Sequence, residues 1–158
     1  MDDIQIPNLE TFAEGALNAY REAFDDPFDA AEAAVFRIDR ISSANLYRLE
    51  EFVRAPDVYQ AMWAASHGSI PDETVAIGVT SCGWAAPTDD DCAPSEHPNR
   101  RRVMMVLIGD RSMEMCSGVL FQGDADPTMN LGEGEGLFSE KFKDMIISML
   151  VATAVQRN

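Results

Sequence analysis

The sequence predicts an α+β domain: N-terminal helices packed on a small, mainly antiparallel sheet of at least three strands, closed by a C-terminal helix. Three observations predict it. Apolar residues recur at three- and four-residue spacing through residues 8–67. A two-residue alternation and a six-residue apolar run fall within 74–121. A helical apolar stripe returns in 139–155. No strand–helix–strand alternation and no internal repeat interrupts this order. At 158 residues, 46% of them hydrophobic, the chain is read as one domain, 1–158, with a core large enough to fold unaided.

In the helical part, 8–67, Asn8 is placed to cap the first helix. Leu9, Phe12, Ala13, Ala16, Leu17, Tyr20 and Phe24 make one apolar face. Asp25-Asp26-Pro27 ends it, because a residue before proline is pushed out of the α region. Pro27 suits the start of a second helix, with Ala31, Ala34, Val35, Ile38 and Ile41 at helical spacing. Leu46, Leu49, Phe52 and Val53 continue it after Ser42-Ser43, as one helix or as two, 27–41 and 44–53. Pro56 opens a shorter helix with Val58, Tyr59, Met62, Trp63 and Ala65 as its apolar positions, stopping at His67-Gly68. The aromatics of this part, Tyr59 and Trp63 included, are read as core.

In the sheet part, 74–121, Val75, Ile77 and Val79 alternate with smaller residues. Gly78 among them implies close backbone approach or a bulge. Val103 to Ile108 is apolar throughout, which belongs at a sheet centre covered on both sides. Met113, Met115, Val119 and Phe121 predict a third strand, reached by a hairpin turn at Gly109-Asp110-Arg111. The second cover for the central strand comes from the last helix or from a second subunit of a homodimer. An acidic, glycine-rich connection, 123–137, leads to the C-terminal helix, where Phe142, Met145, Ile146, Met149, Leu150 and Thr153 form the stripe.

The formal net charge is −15, from 27 acidic and 12 basic residues. The acids are spread, 13 in 1–70 and 14 in 71–158, so the surplus belongs to the folded surface rather than to a tail. Such a surface repels nucleic acid and anionic membrane and attracts a basic partner. No secretory start and no 18-residue apolar run is visible. With three cysteines, an odd number, a cytoplasmic location with reduced thiols is the expectation.

Residues 85–101, AAPTDDDCAPSEHPNRR, form a long connection braced by Pro87, Pro94 and Pro98. Cys82, Cys92 and His97, with Cys116, offer soft ligands for zinc, but Cys82 and Cys92 are ten apart rather than at knuckle spacing. Cys92 with His97 resembles a nucleophile and base, yet Asp89 to Asp91 would hold the thiol protonated. No metal, cofactor or catalytic residue is therefore assigned. Arg100, Arg101 and Arg102 concentrate positive charge, with alternation sending Arg101 to one face and its neighbours to the other. Salt bridges to the acids of the chain are their expected use. Asp124, Asp126, Thr128, Asn130, Gly132 and Glu135 match calcium-loop spacing, but Met129 stands where such loops need glycine. Gly132 to Gly136 alternates glycine with glutamate, which opposes phosphate.

GWAAP at 83–87, SEHPNRRRV at 95–103 and GEGEG at 132–136 resemble a pattern in small uncharacterised proteins of actinobacteria and their phages. The likeness covers residues 75–150. It implies a Gly-Trp-Ala-Ala-Pro turn, a His-Pro-x-Arg-Arg-Arg-Val strand start and a short C-terminal helix. No activity comes with it, so nothing catalytic carries over, and the cysteines lie outside the pattern. It makes Trp84, Pro87, His97, Arg100, Arg101 and Arg102 one local unit. Secretion chaperones are similar in size and charge, but their element order does not match more than one helix before the first strand.

The expected function is a non-enzymatic acidic cytoplasmic protein that binds or regulates a protein partner through its surface and the 84–102 loop. Trp84 would be its aromatic anchor. One alternative is a metal-dependent or thiol enzyme using Cys82, Cys92 and His97. A second is a nucleic-acid mimic that binds a DNA-binding protein, which needs acids spaced like phosphates on one face.

Overall fold

A computed structural model describes residues 8–30, 32–41, 46–68, 70–85, 96, 98–112, 114–131, 144–146 and 148–150. The fold is α+β. Helix α1 (Leu9–Ala23) is followed by a 3-10 turn at Pro27–Asp29, β1 (Ala33–Ile41) and β2 (Leu46–Ala55). Then come α2 (Val58–Ser66), β3 (Thr74–Ala85), β4 (Arg101–Asp110), β5 (Met115–Phe121) and β6 (Thr128–Leu131). Residues 144–146 and 148–150 are helical and form α3. The rest of the predicted helix 139–155 lies outside the described residues.

All six strands join one antiparallel sheet in the order β2-β1-β3-β4-β5-β6. Each face carries its own core. On one, Leu9, Ala13, Ala16, Leu17 and Tyr20 of α1 cover Ala34, Phe36, Ile38, Ala76, Met104, Val106, Ile108, Cys116 and Leu120. On the other, Ala61, Met62 and Ala65 of α2 and Ile146, Met149 and Leu150 of α3 cover Ala33, Val35, Ile77, Val79, Leu107 and Met115. The two covers demanded by the apolar run of β4 are both present within one chain.

Local chemistry accounts for the helix ends. Asn8 caps α1, its side-chain oxygen accepting from the Thr11 amide at 2.9 Å. Asp57 caps α2, accepting from the Gln60 amide at 2.8 Å. Gly78 stands opposite Ile108, where a Cβ would meet the isoleucine Cβ at 3.3 Å. The close approach expected there is the reason for glycine. The β4–β5 turn closes on Asp110, whose Oδ1 accepts from the amides of Ser112 and Glu114 at 2.9 and 3.1 Å.

Three expectations are corrected. The predicted helices 27–41 and 44–53 are strands β1 and β2, with only a 3-10 turn at Pro27–Asp29. The helical part 8–67 therefore contains one strand hairpin between two helices, and a single α-helix precedes the first strand. The first half of β1, Ala33 to Phe36, is apolar on both faces because both are covered, so the alternation that identifies a strand is absent there. In β2 a bulge leaves Phe52 without a register partner, since Val35 pairs with Val53 and Phe36 with Glu51. Phe52 and Val53 both pack on the α2 side while Leu49 packs on the α1 side, which imitates helical spacing. Ser42-Ser43 lies outside the described residues. The connection 123–137 contains β6, whose pairing with β5 is incompatible with a loop wrapped round calcium.

Candidate functional site

The Trp84–Arg102 end of the sheet is built by cross-strand pairing. Trp84 of β3 stands opposite Arg102 of β4. The Arg102 guanidinium lies 4.4 Å from the centre of the Trp84 ring, and that of Arg100 lies 4.9 Å away. Arg102 also donates to the carbonyl of Phe28 at 3.1 Å and to Asp29 Oδ1 at 2.7 Å. Arg101 points to the opposite face, over Phe121 at 4.6 Å, and reaches Asp124 Oδ1 at 3.4 Å. The strand alternation thus divides the triplet as its register requires. Arg101 and Arg102 are tied to acids of the same chain, and Trp84 is half-buried under arginine. Pro87, Cys92 and His97 lie outside the described residues.

The two described thiols are separate. Cys82 of β3 stands opposite Met104, which stands opposite Leu120 of β5. Cys116 is four residues further along β5, so two strand spacings and four residues place the thiols roughly 16 Å apart. They cannot share a metal ion or form a disulfide. Cys82 Sγ donates to the carbonyl of Ala30 at 3.0 Å, and burial pushes its pKa up. Burial, with a smaller effect of Glu10, raises Cys116 to about 11. Both shifts favour the thiol over the thiolate, the opposite of what a nucleophile needs. Among the described residues no group of three or more His, Cys, Asp or Glu is arranged to hold a metal.

Among the described residues the buried charge is Asp39 on β1. It accepts from Thr74 Oγ1 at 2.6 Å and from Arg37 Nε at 2.9 Å, with Arg48 at 3.8 Å. Arg37 and Arg48 both continue to Glu50 at 3.0 Å. The set ties β1, β2 and the start of β3 together. Every carboxylate in it is engaged by arginine, so the arrangement is structural.

A site the sequence reading missed lies on α2. Its inner stripe, Ala61, Met62 and Ala65, is fully buried. On its outer stripe Tyr59 is 60% and Trp63 64% exposed. Both were expected in the core. Trp63 packs against His67 with ring centres 4.2 Å apart and the rings tilted by 38°, and the His67 Nδ1 lies 2.8 Å from the Trp63 carbonyl oxygen. Beside these rings runs a groove of about 540 Å³ lined by Ala55, Tyr59, Gln60, Trp63, Ala64 and Met145. None of these six side chains is ionisable at neutral pH. The signal was in the sequence: VYQAMWAAS is apolar on two stripes, and a helix with one face on a sheet needs only one.

No protein-family model, curated protein or solved structure matches the chain. Among the described residues no helix is long and apolar enough to cross a membrane.

Proposed function

We propose that this chain is a non-enzymatic acidic protein that binds a protein partner, with the outer face of α2 as its docking surface. The observation that carries the reading is the pair Tyr59 and Trp63, each more than half exposed beside an apolar groove. Large aromatics exposed together are uncommon on a surface that has no use for them, and Trp and Tyr dominate the energetics of interfaces. Two thiols too far apart to pair are suited to the cytoplasm. The 84–102 segment takes a supporting part in this reading, since its aromatic ring is already stacked on Arg100 and Arg102.

Photocrosslinking in the host cell tests it. A photoreactive residue replacing Gln60 gives one discrete adduct, and Trp63→Ala in the same chain removes that adduct. The same photoreactive residue at Glu14, on the outer face of α1, does not give it. Absence of an adduct from position 60, or the same adduct from both positions, sinks the proposal.

A further inference from the structure

We infer that β2 pairs antiparallel with the β2 strand of a second copy of this chain, about a two-fold axis through Leu49, so that two six-stranded sheets join into one. The contact is made by the edge of the sheet and does not rest on the α2 groove.

The backbone of β2 offers the contact. β2 ends the strand order, so among the described residues one side of this ten-residue strand has no neighbouring strand. A row of N–H and C=O groups without a ladder partner is a template for another strand. β6, at the other end of the sheet, is four residues long. From Leu46 to Glu51 the pairing of β2 with β1 runs without interruption, and the bulge comes after it, at Phe52. The strand contains no proline and no lysine, the residues that commonly blunt an edge. Leu46, at its start, is 58% exposed, on the face that also carries Arg48 and Glu50.

Charge selects a second copy and sets the register. The hairpin of β1 and β2, 33–55, holds Arg37, Arg40, Arg48 and Arg54 against Asp39, Glu50 and Glu51, one positive charge in excess on a chain of net charge −15. Two such hairpins meet without the local repulsion that the acidic surplus imposes elsewhere. At physiological salt the charges beyond a Debye length of about 8 Å are largely screened. Directly opposed residues of an antiparallel pair share a face, so a two-fold axis passes through a residue and not between two. With Leu49 opposite the partner's Leu49, Arg48 stands opposite the partner's Glu50 and Glu50 opposite the partner's Arg48. Tyr47 stands opposite the partner's Glu51, whose carboxylate can accept from the phenol, and Leu46 comes alongside the partner's Phe52. Moving the axis by one residue sets Arg48 against Arg48 or Glu50 against Glu50, and like charges directly opposed destabilise a ladder. Arg48 is 51% and Glu50 39% exposed. A guanidinium has five donors, so Arg48, bound to its own Glu50 through Nε at 3.0 Å, retains donors for the partner's Glu50.

Sedimentation equilibrium at physiological salt, loaded at about 1 and about 200 µM, tests this. Wild type is expected to pass from monomer to dimer over that range. Arg48→Glu and Glu50→Arg each set like charges opposite one another twice per dimer, and each is expected to weaken self-association at least about tenfold. Mixed one to one, the two variants restore the dimer, because both opposed pairs then carry opposite charges. A wild type that stays monomeric at the higher concentration overturns the inference. So does a dimer that either variant leaves intact, a dimer that Trp63→Ala dissociates, or two folded variants that stay monomeric when mixed. A second measurement avoids the ion pairs around Asp39, in case those variants fail to fold. With a short bismaleimide, Leu49→Cys is expected to give a covalent dimer above the wild-type background and Leu46→Cys is not, since position 46 lies far from its own copy in this register. No covalent dimer from Leu49→Cys, or equal yields from both positions, overturns the pairing.

Discussion

Single residues show why the reactive side-chain types of this chain do not add up to a catalytic set. Asp39 is buried, but Thr74, Arg37 and Arg48 surround its carboxylate. A buried charge so engaged holds strands in place, and removing one member of such a set is costly. Cys116 is buried under α1 and its thiol is raised from its ordinary value to about 11. The unfolded chain loses that proton near pH 9, while the folded chain keeps it to about 11. Between these values the folded state binds more protons, so stability present below pH 9 is lost as pH rises through the window. For one group the slope is about 1.4 kcal/mol per pH unit. Urea titrations in the presence of a reductant, run from pH 8 to 11, should show wild type losing stability faster than Cys116→Ala by about that slope. Tyr20 and Cys82, also raised by burial, titrate in both chains and cancel in the comparison. Parallel curves would show that Cys116 titrates alike in both states.

At the scale of elements, caps and turns were legible and strand identity in the first half was not. Asn8 and the Asp25-Asp26-Pro27 stop mark α1 because capping depends on a few adjacent atoms. Val103 to Ile108 announced a central strand because nothing but a doubly covered strand suits six apolar residues in that setting. The same double cover disguised β1: Ala33, Ala34, Val35 and Phe36 are all buried, so the sequence lacks the alternation of a half-exposed strand. Helix α2 was found with its boundaries, but which of its stripes faces the sheet was not. That choice separates two neighbouring residues in energy. Met62→Ala empties a fully buried site and should cost about 2–5 kcal/mol. Trp63→Ala removes an exposed ring and should cost less than about 1 kcal/mol, although the side chain lost is larger. Chemical denaturation of the two variants distinguishes them, and a large loss with Trp63→Ala would mean that the ring belongs to the core.

At the scale of the whole molecule, the charge is the dominant property. With 27 acids against 12 basic residues, long-range repulsion outweighs the exposed pairs such as Arg101–Asp124 and Arg102–Asp29. Salt weakens both, but the unpaired surplus more. The melting temperature should therefore rise as sodium chloride is raised from about 20 to about 500 mM, where the Debye length falls to a few ångströms. A fall in melting temperature would mean that the ion pairs, not the surplus, control stability. The surplus also limits which partners can approach, and the α2 groove adds a neutral apolar strip to the acidic field.

The sequence by itself determined the α+β class, the ends of α1 and α2, the central place of β4, the division of the arginine triplet between two faces and the acidic surface. Each of these depends on composition or on residues close together along the chain. Only the tertiary structure decided that 33–41 and 46–55 are strands, that Trp84 is covered by Arg100 and Arg102, that Cys82 and Cys116 are far apart, and that Tyr59 and Trp63 face outward. These depend on what packs against each segment from elsewhere in the chain: two covered faces remove the periodicity of a strand, and a neighbouring sheet decides which of two apolar stripes is buried.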